Sequence, residues 1–272
     1  MDTKKEHNQS KKTKQILREK NLGKKNPVFK VPPKRLILDE NLGYILGTIM
    51  GDGSIIWDIK NGVYQIRLNV IDKDFALTFK KSLEEWSGFE VKVYFYQYHY
   101  MKNKQYVVIL CSKFVVNYLK NFDINKIKVS SKKIKAMFLK GIYDSEGCVP
   151  GKSKYISISQ NGIHLLQLCK DLLLDLDIES TKIRLFSKRG TPYKTTYNDG
   201  RTDYGTSNFD HYEFNIGRKE SLIKFRDLVR FSIKRKQDKL VNMIKLYCTK
   251  EEIKFISSLS PNKKKNWKKL YN

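Results

Sequence analysis

Hydrophobic positions along this chain change period in a fixed order, and the order occurs twice. Between 41 and 50, Leu42, Ile45, Leu46 and Ile49 fall on one helical face, with Gly47 and Gly51 four apart beside it. An alternating stretch follows at 64–70: Tyr64, Ile66, Leu68 and Val70 point one way, Gln65, Arg67 and Asn69 the other. The helical period returns at about 73–86. A basic strand then covers about 90–98, with Val91, Val93 and Phe95 opposite Lys92, Tyr94 and Tyr96, and 107–113 leads from a strand into a helix. The second pass starts at Lys135 with a helix carrying Phe138, Leu139 and Ile142. Strands at 155–159 and about 181–188 flank a helix at about 162–175, and 212–219 leads into another helix. Superposing Gly47 on Gly141 also superposes Asp52 on Glu146 and Gly53 on Gly147. The pattern predicts an α+β fold of two α-β-β-α-β-β-α repeats, 41–122 and 135–247, joined by a linker at 123–134. Together they make a pseudo-twofold monomer with antiparallel sheets and a central pair of helices.

The ends of the two opening helices carry the chemistry. A glycine inside a helix costs about 1 kcal/mol relative to alanine. Small residues four apart offset that cost when two helices touch along their backbones, and Gly141 with Ser145 repeats the spacing of Gly47 with Gly51. Parallel packing would bring both last turns together, and Asp52 and Glu146 each stand one residue beyond the small pair. An acid at a helix C-terminus opposes the helix dipole by roughly 0.3–1 kcal/mol, and neighbouring carboxylates repel. A hard divalent cation held by carboxylates and helix-end carbonyls resolves both conflicts. Gly53 and Gly147 fit C′ caps, which would free the carbonyls of Gly51 and Ser145 for the ion. One such helix alone reads as a capped core helix with an incidental acid; two at matched positions read as a metal site.

Charge narrows the partner. The 272 residues carry 54 Lys and Arg against 28 Asp and Glu, a net +26. Residues 1–40, read as a flexible basic arm, hold seven of the excess and the basic tail at 248–272 about five, so about +14 belongs to the folded body. Such an excess points to a polyanion, because displaced counterions drive association with phosphates. A mean hydropathy of −0.54 and the lack of any apolar run near 20 residues argue against a membrane protein. Four cysteines lie far apart with no C-x-x-C pair and read as reduced thiols of an intracellular protein.

The segments Leu46–Gly53 (LGTIMGDG) and Leu139–Gly147 (LKGIYDSEG) resemble the two signature motifs of the LAGLIDADG homing endonucleases, in the single-chain, two-motif branch. The likeness covers about 41–247. The first copy departs at Met50, where the family often has an acid, whereas the second has Asp144 there. The resemblance implies site-specific, staggered cleavage of double-stranded DNA, with Mg²⁺ held by Asp52, Glu146 and the carbonyls of Gly51 and Ser145. Mn²⁺ or Ca²⁺ would substitute for binding. It also implies a basic residue near each scissile phosphate; the matching positions are Lys113 and Lys219, with Arg218 competing for the second. The same likeness admits two other functions, an RNA maturase acting on intron RNA and a DNA-binding regulator without cleavage.

The polar strand faces would read the DNA: Gln65, Arg67 and Asn69; Lys92, Tyr94 and Tyr96; Ser157 and Ser159; Lys182, Arg184 and Lys188. Arg with guanine and Asn or Gln with adenine are the bidentate pairs available in the major groove. These faces hold almost no acid. In the last strand, Ile183 and Leu185 are expected on the core side, and 187–211 is expected to form a long hairpin loop extending the contact.

Overall fold

The computed structural model describes residues 30–96, 104–151, 153–196, 200 and 202–247. Helix α1 (Glu40–Met50) begins where Asp39 accepts from the Leu42 amide at 2.8 Å. Strands β1 (Gly53–Asp58) and β2 (Val63–Val70), helix α2 (Lys73–Ser87), strands β3 (Lys92–Tyr96) and β4 (Gln105–Cys111), and helix α3 (Lys113–Lys120) complete the first repeat. The linker holds one short helix, α4 (Asn125–Lys128).

Helix α5 (Lys132–Glu146) starts three residues earlier than the periodicity predicts, because Ser131 accepts from the Ile134 amide and supplies the cap. Strands β5 (Gly147–Cys148) and β6 (Ile156–Gln160), helix α6 (Ile163–Asp175) and strand β7 (Arg184–Ser187) follow. The expected loop at 187–211 contains a two-stranded ribbon, β8 (Pro192–Thr196) with β9 (Thr202–Thr206). Strand β10 (His211–Ile216) returns to the sheet, and helices α7 (Lys219–Leu228) and α8 (Lys234–Lys245) end the described chain.

The two four-stranded sheets are antiparallel, in orders β1-β2-β4-β3 and β5-β6-β10-β7. With β10 as the counterpart of β4, both repeats share one topology. Each sheet buries one face under its helix: Phe75, Phe79, Leu83 and Trp86 of α2 in the first, Leu166, Cys169, Leu172 and Leu173 of α6 in the second. Burying each such large side chain stabilises by about 1.5–3 kcal/mol.

Three expectations change. Phe95 is exposed, its ring lying against Tyr106 with Lys104 above it, because β3 is an edge strand whose far side α2 does not fully cover. Leu185 is exposed for the same reason on the other edge strand, β7. The last residues of the expected arm are docked: Trp86 Nε1 donates to the Ile37 carbonyl at 2.8 Å, and Leu36 and Leu38 pack on the core. Residues 1–29 of the arm and the tail from 248 lie outside the described residues.

Candidate active site

Backbone contact brings the two motif helices together. A Cβ on Gly47 would run into the carbonyl of Phe138, and one on Gly141 into the carbonyl of Tyr44. Further along, Gly51 lies against the side chain of Ser145. The i, i+4 glycines are thus the seam of a parallel helix pair whose last turns coincide.

Asp52 and Glu146 leave that shared end together. Burial pushes the Glu146 carboxyl above its ordinary range, and the Asp52 charge raises it further; Lys236 and a hydrogen bond from Gln160 pull the other way. Burial also raises Asp52, against the attraction of Lys236. Asp52 keeps its side chain open to solvent, so the packed atoms around it strip part of its water without enclosing it.

Gly53 and Gly147 are not left-handed caps. Gly147 is extended, at φ −72° and ψ 139°, and Gly53 is absent from the positive-φ glycines. Both positions exclude a side chain because the strand turns back over the helix: a Cβ on Gly53 would come within 2.9 Å of the Ile49 Cα, and one on Gly147 would strike Tyr143.

Among the described residues, Lys236, on α8, reaches this site. Its Nζ donates to the carbonyls of Asp144 at 2.6 Å and Tyr143 at 3.2 Å, the two preceding Ser145, and it is 8% exposed. Burial lowers its pKa. Arg235 beside it makes a two-pronged ion pair with Asp72 at 2.7 and 2.8 Å, and the Lys234 amide donates to Asp74, so α8 is fastened to the first repeat. Below the acids, buried Asp144 accepts from Tyr44 Oη at 2.9 Å and from the Ser232 amide at 2.8 Å, bridging the helix pair. An open hollow of about 290 Å³ adjoins this end, lined by Asp52, Asn69, Asp72, Ser145, Arg235 and Lys236 among others.

Lys113 and Lys219 stand elsewhere. Lys113 opens α3 with its Nζ 5.6 Å from the Tyr64 ring centre, whereas Gly53, next to Asp52, pairs with Leu68. Four residues of strand separate the two, roughly 13 Å. Lys219 opens α7 beyond Ile216, which pairs with Ile156; Gln160, the partner of Glu146, is at the other end of β6. Arg218 is ion-paired with Glu179.

Gln65, Arg67 and Asn69 share the open face of the first sheet with Lys92, Tyr94 and Tyr96. The register sets Lys92 and Arg67 on either side of Ile109, and Tyr94 and Asn69 on either side of Val107. In the second sheet Ser157 and Ser159 occupy the matching face, and Lys182 and Lys188 flank β7, both exposed. Arg184 differs from expectation: its Nε is bonded to Glu213 at 2.8 Å, so an acid does lie on this face and occupies that guanidinium. Lys236 escaped sequence reading because it is one cation in a Lys-Arg-Lys run, with nothing local to single it out.

The donor set of two carboxylates and helix-end carbonyls suits a hard cation such as Mg²⁺, and burial first, then the neighbouring Asp52 carboxylate, raises the Glu146 pKa. Among the described residues no group of three or more His, Cys, Asp or Glu side chains stands together, and no helix is long and apolar enough to cross a membrane.

Residues 133–232 match the LAGLIDADG-like domain family. The chain is 33% identical over 219 residues to the uncharacterized protein MJ0398 of Methanocaldococcus jannaschii, covering 80% of this chain and 77% of that one. It is 34% identical over 167 residues to MJ0314 of the same organism, covering 58% and 61%. Among solved structures, the homing endonuclease I-DmoI in complex with DNA and Ca shares the fold at a TM-score of 0.51 and 18% identity, over 75% of this chain and 97% of that chain.

Proposed function

The chain belongs to the LAGLIDADG family, and on that premise we propose that it is a site-specific, double-stranded DNA endonuclease using divalent metal. One observation carries the reading: two acids from different repeats meet at the end of a glycine-seamed helix pair, between two four-stranded sheets of the same topology. Asp52, Glu146 and the carbonyls of Gly51 and Ser145 would hold the metal, which supplies an activated water and neutralises charge on the phosphate when bound. Gln160 orients the Glu146 carboxylate. Lys236 holds the end of α5 in place and sets a positive charge beside the acids. Gln65, Arg67, Asn69 and Lys92 offer donors to base edges and phosphates along one half of the site. In the complexes of I-DmoI with DNA the neighbouring protein binds the same class of partner.

The test incubates the protein with a duplex carrying the uninterrupted insertion locus of its gene, in Mg²⁺ and in EDTA, beside an Asp52→Asn, Glu146→Gln double variant. A discrete Mg²⁺-dependent double-strand cut, lost in the variant while binding persists, supports the reading. Tight binding without a cut identifies a regulator instead. Binding of intron RNA with faster splicing, and no cut, identifies a maturase.

A further inference from the structure

The two open faces are built from different chemistry. The central strand of the first sheet presents Gln65, Arg67 and Asn69, side chains that fork to adenine or guanine. Its counterpart in the second repeat, β6, presents only the short hydroxyls of Ser157 and Ser159, which pair with either base. The nearest guanidinium there, Arg184, is occupied by Glu213. What the second face adds is a group of exposed aromatic rings. Between β7 and the β8–β9 ribbon lies a hollow of about 390 Å³ lined by Phe186, Tyr193 and Phe209, with Ser159, Asn208 and His211. The three rings are 64%, 52% and 59% exposed.

Such exposure on a protein surface marks an interaction site when the rim is polar, and Ser159, Asn208 and His211 line the same hollow, with exposed Lys188 and Arg189 next to it in the chain. The hollow is held in shape. Tyr193 lies across Gly205 of the opposite strand, where any Cβ would meet its ring. The ribbon is tied by Gly190 N to Ser207 O at 2.8 Å and Ser207 N to Thr191 O at 2.9 Å, and Asp210 accepts from the Arg189 amide at 2.8 Å. The Phe186 and Phe209 rings have no group that can hydrogen-bond a base edge and offer apolar contact alone, beside the Tyr193 hydroxyl and the polar lining. In the major groove, the apolar feature of a base pair is the thymine 5-methyl group.

We infer that the hollow beside β7 is a thymine-methyl reader, so that the second repeat recognises a thymine-rich half-site by apolar contact while the first reads its half by hydrogen bonds. This inference rests on the DNA-binding reading above. To test it, the full chain in Ca²⁺ selects duplexes from a pool with a randomised core, and each thymine of the enriched site is then replaced by deoxyuridine, which removes the methyl alone. One half-site is expected to be thymine-rich. Each methyl removed there lowers affinity on the order of fourfold, the equivalent of one buried carbon at about 0.8 kcal/mol; the other half tolerates the exchange. Phe186→Ser, and separately Phe209→Ser, make thymine and uracil equivalent in that half while leaving the response of the other half and the circular dichroism unchanged. Enriched duplexes lacking such a half, or bound equally with thymine and uracil, overturn the inference and leave DNA binding standing. Failure to enrich any duplex overturns DNA binding, and the inference with it.

Discussion

Gly47→Ala tests why the acids meet. In an ordinary helix interior the substitution stabilises by about 1 kcal/mol, since alanine has the higher helix propensity. Here the new methyl would sit 3.0 Å from the carbonyl carbon of Phe138 and 3.1 Å from the amide of Ile142, and closer still to the Phe138 oxygen. All three are backbone atoms of α5, so no side-chain rotation relieves the clash and the helices must separate. Overpacking of this kind costs typically 1–3 kcal/mol, here at the upper end, which leaves a net loss of about 2 kcal/mol after the propensity gain. For a chain of this size that lowers Tm by roughly 4–8 °C. Thermal unfolding followed by circular dichroism measures it, with Gly162→Ala as control, because nothing lies within 4 Å of a Cβ at that position. A Gly47→Ala chain as stable as the parent, or more so, would refute backbone contact as the reason for the glycine.

Other outcomes follow from the same geometry. Asp52 and Glu146 have folded pKa values raised above their ordinary ones, so folding favours their protonated forms and the metal-free chain loses stability as pH rises out of the carboxylate range. Urea unfolding in EDTA across pH should show that decline, and Asp52→Asn with Glu146→Gln should flatten it. Added Mg²⁺ should stabilise the parent chain and not the double variant. Asp144 and Tyr44 should couple by about 1–2 kcal/mol in a double-mutant cycle of Tyr44→Phe with Asp144→Asn, since the bond is buried and crosses the helix pair. Additive losses in that cycle would count against the bridge. Lys236→Met removes the donor to two carbonyls and should cost about 1–3 kcal/mol by denaturation. Because Lys236 draws both acids down, its loss should also move the pH profile of Mg²⁺-dependent cleavage upward; an unmoved profile would separate Lys236 from the acids.

The amino-acid order by itself determined what depends on local period and on repetition. Alternation in 64–70 assigned Gln65, Arg67 and Asn69 to the open face, because successive strand residues must point to opposite sides. The common offset of Gly47, Asp52 and Gly53 from Gly141, Glu146 and Gly147 identified the helix pair and its acids, because one packing solution imposes the same small residues twice. The tertiary structure alone decided the contacts between residues far apart in the chain. Lys236 becomes part of the site only because Asp72 and Asp74, some 160 residues earlier, fasten the start of α8. Arg184 loses its freedom to Glu213 through a strand register that no local pattern encodes. Gly53 and Gly147 show the same division: their identity was legible, but the cause is a chain folding back over a helix turn and not a left-handed cap. Periodicity records which way a side chain points; what it meets there is set by packing between distant segments.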